Sequence, residues 1–249
     1  MQKNGLKERL KNNKMSTKKV LGKNTEKLKD KKILIVGVGG LGCTVANLLA
    51  RVGIKLIVVD NDIVDDTNLE RQILYDKNDL LKSKVSCVKE KLSQFTEIRT
   101  VEEELTEKNI QKILSKSEKI DLVMDCTDNI KTRILINRYC NKNKINWIYS
   151  GAVSNIGAIY FVDNKNNGPC YECLQQNKDG ETSCEIGVLN SIVVMIASMT
   201  ANITINYLVN GKVEDKLLRI NFNDNTLMKI TVKKNTNCKT CSKNEQTTR

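Results

Sequence analysis

Residues 33–42 read ILIVGVGGLG, four apolar residues followed by a run in which four of six are glycine. An unbroken apolar run of this length suits a strand buried on both faces. A helical pattern continues from the glycines through Arg51, and a second short apolar run, LIVVD, occupies 56–60. Strand, glycine turn, helix and strand make a βαβ unit. Within it, Gly37, Gly39 and Gly42 match G-x-G-x-x-G, and Asp60 ends the second strand 18 residues after Gly42. Glycines let backbone N–H groups approach a phosphate at a helix N-terminus, and a carboxylate at the next strand end accepts hydrogen bonds from ribose hydroxyls. These residues alone support NAD and ATP almost equally.

Working outward, helical stretches are predicted near 68–75 and 79–95, a strand near 98–103, a helix near 107–116 and a strand within IDLVMDC at 120–126. This alternation predicts a parallel sheet covered by helices on both faces. After a helix near 129–142 the pattern changes. NWIYSG at 146–151 and AIYFVD at 158–163 are joined by a short link, and KLLRINFN at 216–223 and TLMKITVK at 226–233 alternate like an antiparallel pair around Asp224 and Asn225. The expected fold class is therefore α/β, a parallel N-terminal part continuing into antiparallel strands.

The formal charge of +12 is concentrated at one end: residues 1–32 hold twelve Lys and Arg against three acidic residues, a surplus of +9. Residues 1–30 therefore read as a basic N-terminal extension, flexible or at most partly helical, the one place where a nucleic acid would be attracted. The extension has no apolar core like that of a secretory signal, and an odd count of nine cysteines does not suit a secreted disulfide framework. A reducing, cytoplasmic setting is expected. Residues 187–210 carry no charge and are long enough to cross a bilayer, but Asn190, Ser191, Ser198, Thr200, Asn202, Thr204, Asn206 and Asn210 interrupt them. The stripe Ile192, Ile196, Met199, Ile203 and Tyr207 suits a buried amphipathic helix better. With no histidine in the chain, any mechanism has to work without imidazole.

The stretch DNDIVDDTNLERQILY at 60–75 puts Asn68, Arg71 and Gln72 just past the ribose-binding strand end, within reach of phosphates. Lys84 follows in the next helical segment, and Asp128 lies in CTDN after another strand. Ligands of open α/β sheets bind at that edge, so two cations and a carboxylate would gather there. Cys170 and Cys173 form one C-x-x-C, and Cys238 with Cys241 a second, with 64 residues between the pairs. Two such knuckles suit a four-thiolate zinc site; a redox pair or two unrelated thiol pairs are the other readings.

The set VGVGGLG, VDNDIVDDTNLERQ, MDCTDN, GPCYECL and CKTC, in this order, resembles the ThiF/MoeB/HesA adenylyltransferases, which are related to ubiquitin-activating enzymes. The resemblance covers roughly residues 31–241, followed by a short tail at 242–249. It implies a Rossmann-like ATP-binding domain in a homodimer, with Cys170, Cys173, Cys238 and Cys241 holding Zn2+. The implied reaction is adenylation of the C-terminal glycine of a ubiquitin-like sulfur carrier ending in Gly-Gly, for thiamine, molybdopterin or tRNA thiolation. The alternatives are a relative adenylating another carboxylate, on a peptide or a modified tRNA base, and an NAD-binding protein of the same fold.

By motif, the resemblance assigns Gly40 to the nucleotide alongside Gly37, Gly39 and Gly42, Asp60 to the ribose, and Asn68, Arg71 and Lys84 to the phosphates. It gives Asp128 to Mg2+, with Asn129 beside it. Cys184 corresponds to a thiol that in the family meets the activated carrier, although the spacing to Gly187 is one residue shorter than usual. An Arg-Tyr-x-Arg-Gln motif that the family carries near its N-terminus does not occur here, Arg9 being the only arginine before residue 51.

Overall fold

A computed structural model of the chain describes residues 16–114, 119–174 and 186–242. Its frame is one sheet of eight strands: β1 (Lys32–Val36), β2 (Lys55–Val59), β3 (Ile98–Val101), β4 (Leu122–Asp125), β5 (Trp147–Val153), β6 (Ile156–Val162), β7 (Lys216–Asn221) and β8 (Thr226–Thr231). The spatial order is β3-β2-β1-β4-β5-β6-β7-β8. Strands β1 to β5 pair in parallel, and β5 through β8 pair antiparallel. The change from crossovers to hairpins therefore falls at β5, as the sequence pattern predicts.

The helices are α1 (Ser16–Leu21), α2 (Asn24–Lys29), α3 (Gly40–Arg51), α4 (Lys84–Leu92), α5 (Ile110–Ile113), α6 (Ile130–Lys142), α7 (Tyr171–Leu174) and α8 (Asn190–Asn210). They divide between the two faces of the sheet. Ile33, Ile35, Leu56 and Val58 meet α3, α4 and α8, whereas Leu34, Val36, Ile57 and Val59 meet α5, α6 and the four-cysteine cluster. Successive strand residues point to opposite faces, so a strand covered on both sides must be apolar throughout, and β1 and β2 read that way. Each fully buried Leu or Ile side chain contributes roughly 1.5–3 kcal/mol of transfer free energy.

Two local readings are corrected. Residues 68–75 are not a helix: Asp65 caps a single 3-10 turn at Asp66–Asn68, and the chain then runs through turns to Tyr75, whose hydroxyl is tied to the Val38 carbonyl. The helix expected over 79–95 is confined to α4, preceded by a second 3-10 turn at Lys77–Asp79 closed by Asp76 and Asp79. The basic stretch at the N-terminus contributes α1 and α2, and Leu28 is fully buried in the core. The uncharged segment is α8, long and apolar enough by length and composition to cross a membrane. It packs on α3, β5 and β6. Its buried face runs through Ile192, Val193, Ile196, Ala197, Thr200, Ala201, Thr204 and Leu208, broader than the expected stripe, while Met199, Ile203 and Tyr207 are partly buried. The hydroxyls on it are satisfied: Thr200 meets Ser150 at 2.9 Å, and Thr204 donates to the Thr200 carbonyl at 2.8 Å.

Candidate active site

The strand order reverses between β1 and β4, and the register aligns the ends of three strands there: Val36 lies beside Val59 on β2 and Asp125 on β4. Their continuations, Gly37, Asp60 and Cys126, form one edge, held by Gly37 N–H to Val59 O (2.8 Å) and Cys126 N–H to Val36 O (2.9 Å). A cleft of about 1040 Å³ opens above that edge. Crevices at such a switch point are where open α/β sheets bind ligands.

The glycine turn is built by necessity. Gly37 has φ +82° and a side chain there would stand 3.0 Å from the Cys126 carbonyl; at Gly42 it would stand 1.9 Å from the Gly37 carbonyl. Gly42 therefore does not line the cleft but lets α3 lie against β1, while Gly37, Gly39 and Gly40 do line it. Gly39 caps α3 without a side-chain hydrogen bond, so the first N–H groups of the helix remain available to an anion. The turn is clamped at Val38. Its N–H donates to Asp60 Oδ2 (2.7 Å), and its carbonyl accepts from the buried Tyr75 hydroxyl (2.7 Å). Burial pushes the Asp60 carboxyl up, against the pull of the Val38 and Asp62 N–H groups.

Asn68, Arg71, Lys84, Asp128 and Asn129 all line the same cleft. Arg71 Nη1 donates to the Thr67 carbonyl (2.8 Å) and pairs with Glu70 (3.1 Å). Lys84 is almost entirely buried, its Nζ 2.8 Å from Asp62 Oδ2. Both cations thus rest on local acceptors at the cleft wall. Asp128 is exposed at the rim, and the Asn129 side chain caps α6 by accepting from Lys131 N (2.8 Å) and Thr132 N (3.3 Å). The capping role therefore belongs to Asn129 and leaves the neighbouring carboxylate at the rim. A carboxylate beside a phosphate cleft is the donor set Mg2+ takes, one or two carboxylates plus substrate oxygens.

Sequence reasoning missed two residues: Asp125 and Arg133 form a buried ion pair behind the Asp128 turn. Gln72, expected beside Arg71, is buried beside Gly39 with its Oε1 lacking a partner. Nothing in a one-dimensional pattern pairs Asp125 with Arg133. Past the phosphate end, Tyr149, Val153, Ile156, Gly157, Leu217 and Arg219 extend the cleft over the antiparallel strands.

On the opposite face, all four cysteines of the two C-x-x-C pairs are buried and their Sγ atoms lie within 4.8 Å of one another. Cys170 and Cys238 are 3.5 Å apart, Cys173 and Cys241 3.4 Å, and Cys170 and Cys173 4.0 Å. Thiolates around a tetrahedral zinc with bonds of about 2.3 Å stand about 3.8 Å apart, and disulfide sulfurs about 2.05 Å. The spacing fits a metal and not a disulfide. Asn235 N–H donates to Cys173 Sγ at 3.4 Å, as a backbone amide does to a thiolate ligand. Cys184 lies outside the described residues.

Fold and cleft together define an α/β protein with a phosphate-type turn at the switch point and a separate four-cysteine cluster. A ThiF family model matches residues 11–240, and the chain belongs to that family. It is 36% identical to the adenylyltransferase and sulfurtransferase MOCS3 of Aedes aegypti, over 90% of this chain and 53% of that protein. It is 35% identical to the molybdopterin-synthase adenylyltransferase of Haemophilus influenzae, over 71% of this chain and 74% of that one. The chain thus spans about half the length of the mosquito relative and about three quarters of the bacterial one. The fold is also that of E. coli MccB crystallised with ATP (TM-score 0.74, 23% identity, 88% of this chain and 68% of that one covered).

Proposed function

We propose that the protein is an ATP-dependent adenylyltransferase that activates the C-terminal glycine of a ubiquitin-like sulfur carrier ending in Gly-Gly. The observation that carries this reading is the convergence of Arg71, Lys84 and Asp128 on the cleft that the glycine turn floors. Redox chemistry on a nicotinamide has no use for two cations and a carboxylate at the phosphate end. Transfer of the adenylyl group does: the carrier's carboxylate attacks the α-phosphorus, the bond to the bridging oxygen breaks, and diphosphate leaves. The attacking carboxylate is already deprotonated, so no general base is needed, in keeping with a chain that has no histidine.

In this reading Gly37, Gly39 and Gly40 approach the phosphates and Asp60 accepts from the ribose, while Asn68, Arg71 and Lys84 meet the polyphosphate. Arg71 and Lys84 exchange Glu70 and Asp62 for phosphate oxygens. Mg2+ at Asp128 would neutralise charge on the leaving diphosphate, and Zn2+ between the two cysteine pairs would hold the C-terminal strands. The partly apolar arm of the cleft over β5–β7 suits an extended chain end threading toward the α-phosphate.

A homodimer is part of the proposal, supported by the uncharged α8, which keeps Met195, Ser198 and Asn202 exposed. So is a reducing, cytoplasmic setting, supported by free thiols at all eight described cysteines. The test is exchange of labelled diphosphate into ATP. Exchange should require a small ubiquitin-like protein ending in Gly-Gly and stop when its last glycine is removed. Exchange indifferent to that glycine, or tight NAD binding without ATP turnover, would overturn the assignment.

A further inference from the structure

Arg133 lies in the first turns of α6, faces the cleft and is only 8% exposed. Its Nε donates to Asp125 Oδ2 at 2.8 Å, its Nη2 to the Thr127 carbonyl at 2.6 Å, and its Nη1 reaches the Tyr171 hydroxyl at 3.5 Å. The guanidinium also lies 4.7 Å from the Tyr149 ring centre and 5.9 Å from that of Tyr171. Asp125 is completely buried, and its other oxygen accepts from Thr127 N–H at 3.0 Å and Thr127 Oγ1 at 2.7 Å. The turn 125–127 is therefore gripped from both sides, and Asp128 is the next residue.

A buried ion pair is a poor device for stability alone, because desolvating the two charges offsets most or all of their attraction and an apolar pair of similar volume often serves as well. What the pair does supply is direction. A guanidinium is a rigid planar fork, and here one edge of it binds the carboxylate while the other binds the carbonyl immediately before Asp128. Two aromatic rings from other elements, Tyr149 on β5 and Tyr171 in the cysteine knuckle, keep the plane from turning. Groups that orient a metal ligand from behind set its affinity even though they never touch the metal.

We propose that Arg133 is a positioning residue that, with Asp125, aims the Asp128 carboxylate at the divalent cation of the nucleotide site. The proposal rests on the adenylyltransferase reading and adds to it a determinant of cation affinity on α6. Lysine keeps the charge but cannot bind both acceptors as a fork, so Arg133→Lys should weaken magnesium by roughly 10- to 100-fold. Because removing one partner leaves the other charge buried, the double variant Asp125→Asn with Arg133→Leu serves as the second probe. It deletes both charges together, and should keep a cooperative melt while showing the same loss of magnesium affinity.

The experiment titrates magnesium against ATP-loaded full-length protein by calorimetry, with AMP binding in EDTA measured alongside. The expected result is a magnesium Kd raised at least about tenfold in both variants, with AMP affinity within about twofold of the unaltered chain because Asp60 and the glycine turn are untouched. A magnesium Kd unchanged in a folded variant overturns the positioning role. Loss of AMP binding in parallel with magnesium also overturns it, since it marks general damage to the cleft. Failure of the unaltered chain to bind magnesium and ATP sinks the functional reading itself, and the positioning role with it. That outcome appears before any variant is made.

Discussion

The parallel and antiparallel halves of this sheet are built on different terms. Strands β1, β2 and β4 are buried on both faces and end in a buried residue at the cleft edge, whereas β3, IRTV at the sheet's outer edge, is covered only in part. From β5 onward the cover thins, until β8 is exposed along its whole length. The first half places the proposed site groups by backbone register, since Gly37 and Asp60 follow directly from β1 and β2 and Asp128 lies three residues past the end of β4. The second half has no such enclosure at its edge, and its C-terminal connection turns back to Cys238 and Cys241 beside Cys170 and Cys173. On the proposed reading, chemistry belongs to the cleft edge of the parallel strands and anchoring to the cysteine cluster on the opposite face, with Tyr171 the residue common to both.

The largest expected effect concerns the chemical half. Asp128→Ala and Arg71→Ala should each lower ATP–diphosphate exchange by roughly 10²- to 10³-fold, about 3–4 kcal/mol of transition-state stabilisation, with an unchanged melting curve. Near-normal exchange in both variants would remove the basis for treating that half as the catalytic one. Next comes the anchor. Cys238→Ser, or zinc removal by a chelator, should cost about 3 kcal/mol and lower Tm by roughly 6–12 °C. Hydrogen exchange should rise in β7 and β8 while β1 and β2 stay protected; equal loss of protection in β1 would mean that the two halves form one cooperative unit.

The smallest effect sharpens the link between the knuckle and α6. Burial pushes Glu172 up, but hydrogen bonds from Thr240, Arg138 and Asn137 outweigh it and hold the carboxyl below its ordinary value. With the folded value depressed, the stabilisation is complete above the ordinary glutamate range, near 4.3, and is lost as pH falls through the folded value. Glu172→Gln should therefore cost about 1 kcal/mol at pH 7, and its deficit should shrink as both proteins are melted at successively lower pH. A deficit that does not change between pH 7 and pH 3 would show that the carboxylate charge is not what holds Thr240 and α6 together.

Much of this was legible in the sequence where one residue's environment is local. The glycine run, the apolar strands and the two C-x-x-C pairs each carry their reason within a few positions and took their expected places, except that Gly42 packs α3 on β1 instead of lining the cleft. The residues of 60–75 were assigned to the right edge but the wrong conformation. The spacing of Leu69, Ile73 and Leu74 imitates a helix, whereas the attachment of Tyr75 to Val38 draws the segment into turns after the one 3-10 turn that Asp65 caps. The buried face of α8 was misplaced for a related reason. Thr200 and Thr204 count as interruptions of an apolar run because hydropathy does not know that Ser150 and a helix carbonyl wait for their hydroxyls. Arg133 was invisible because a charge on a helix is usually solvated, and its partner Asp125 lay inside a strand that scored simply as apolar.

The two cysteine pairs have a topological consequence as well. A metal seated between Cys170–Cys173 and Cys238–Cys241 turns everything from α8 through β8 into a closed ring of chain. Such a closure restricts the unfolded ensemble more than a short one does, though only logarithmically with length. It also means that a single cut inside the ring does not release a fragment: both pieces stay threaded to the same ion, and what frees them is a chelator rather than a second cut.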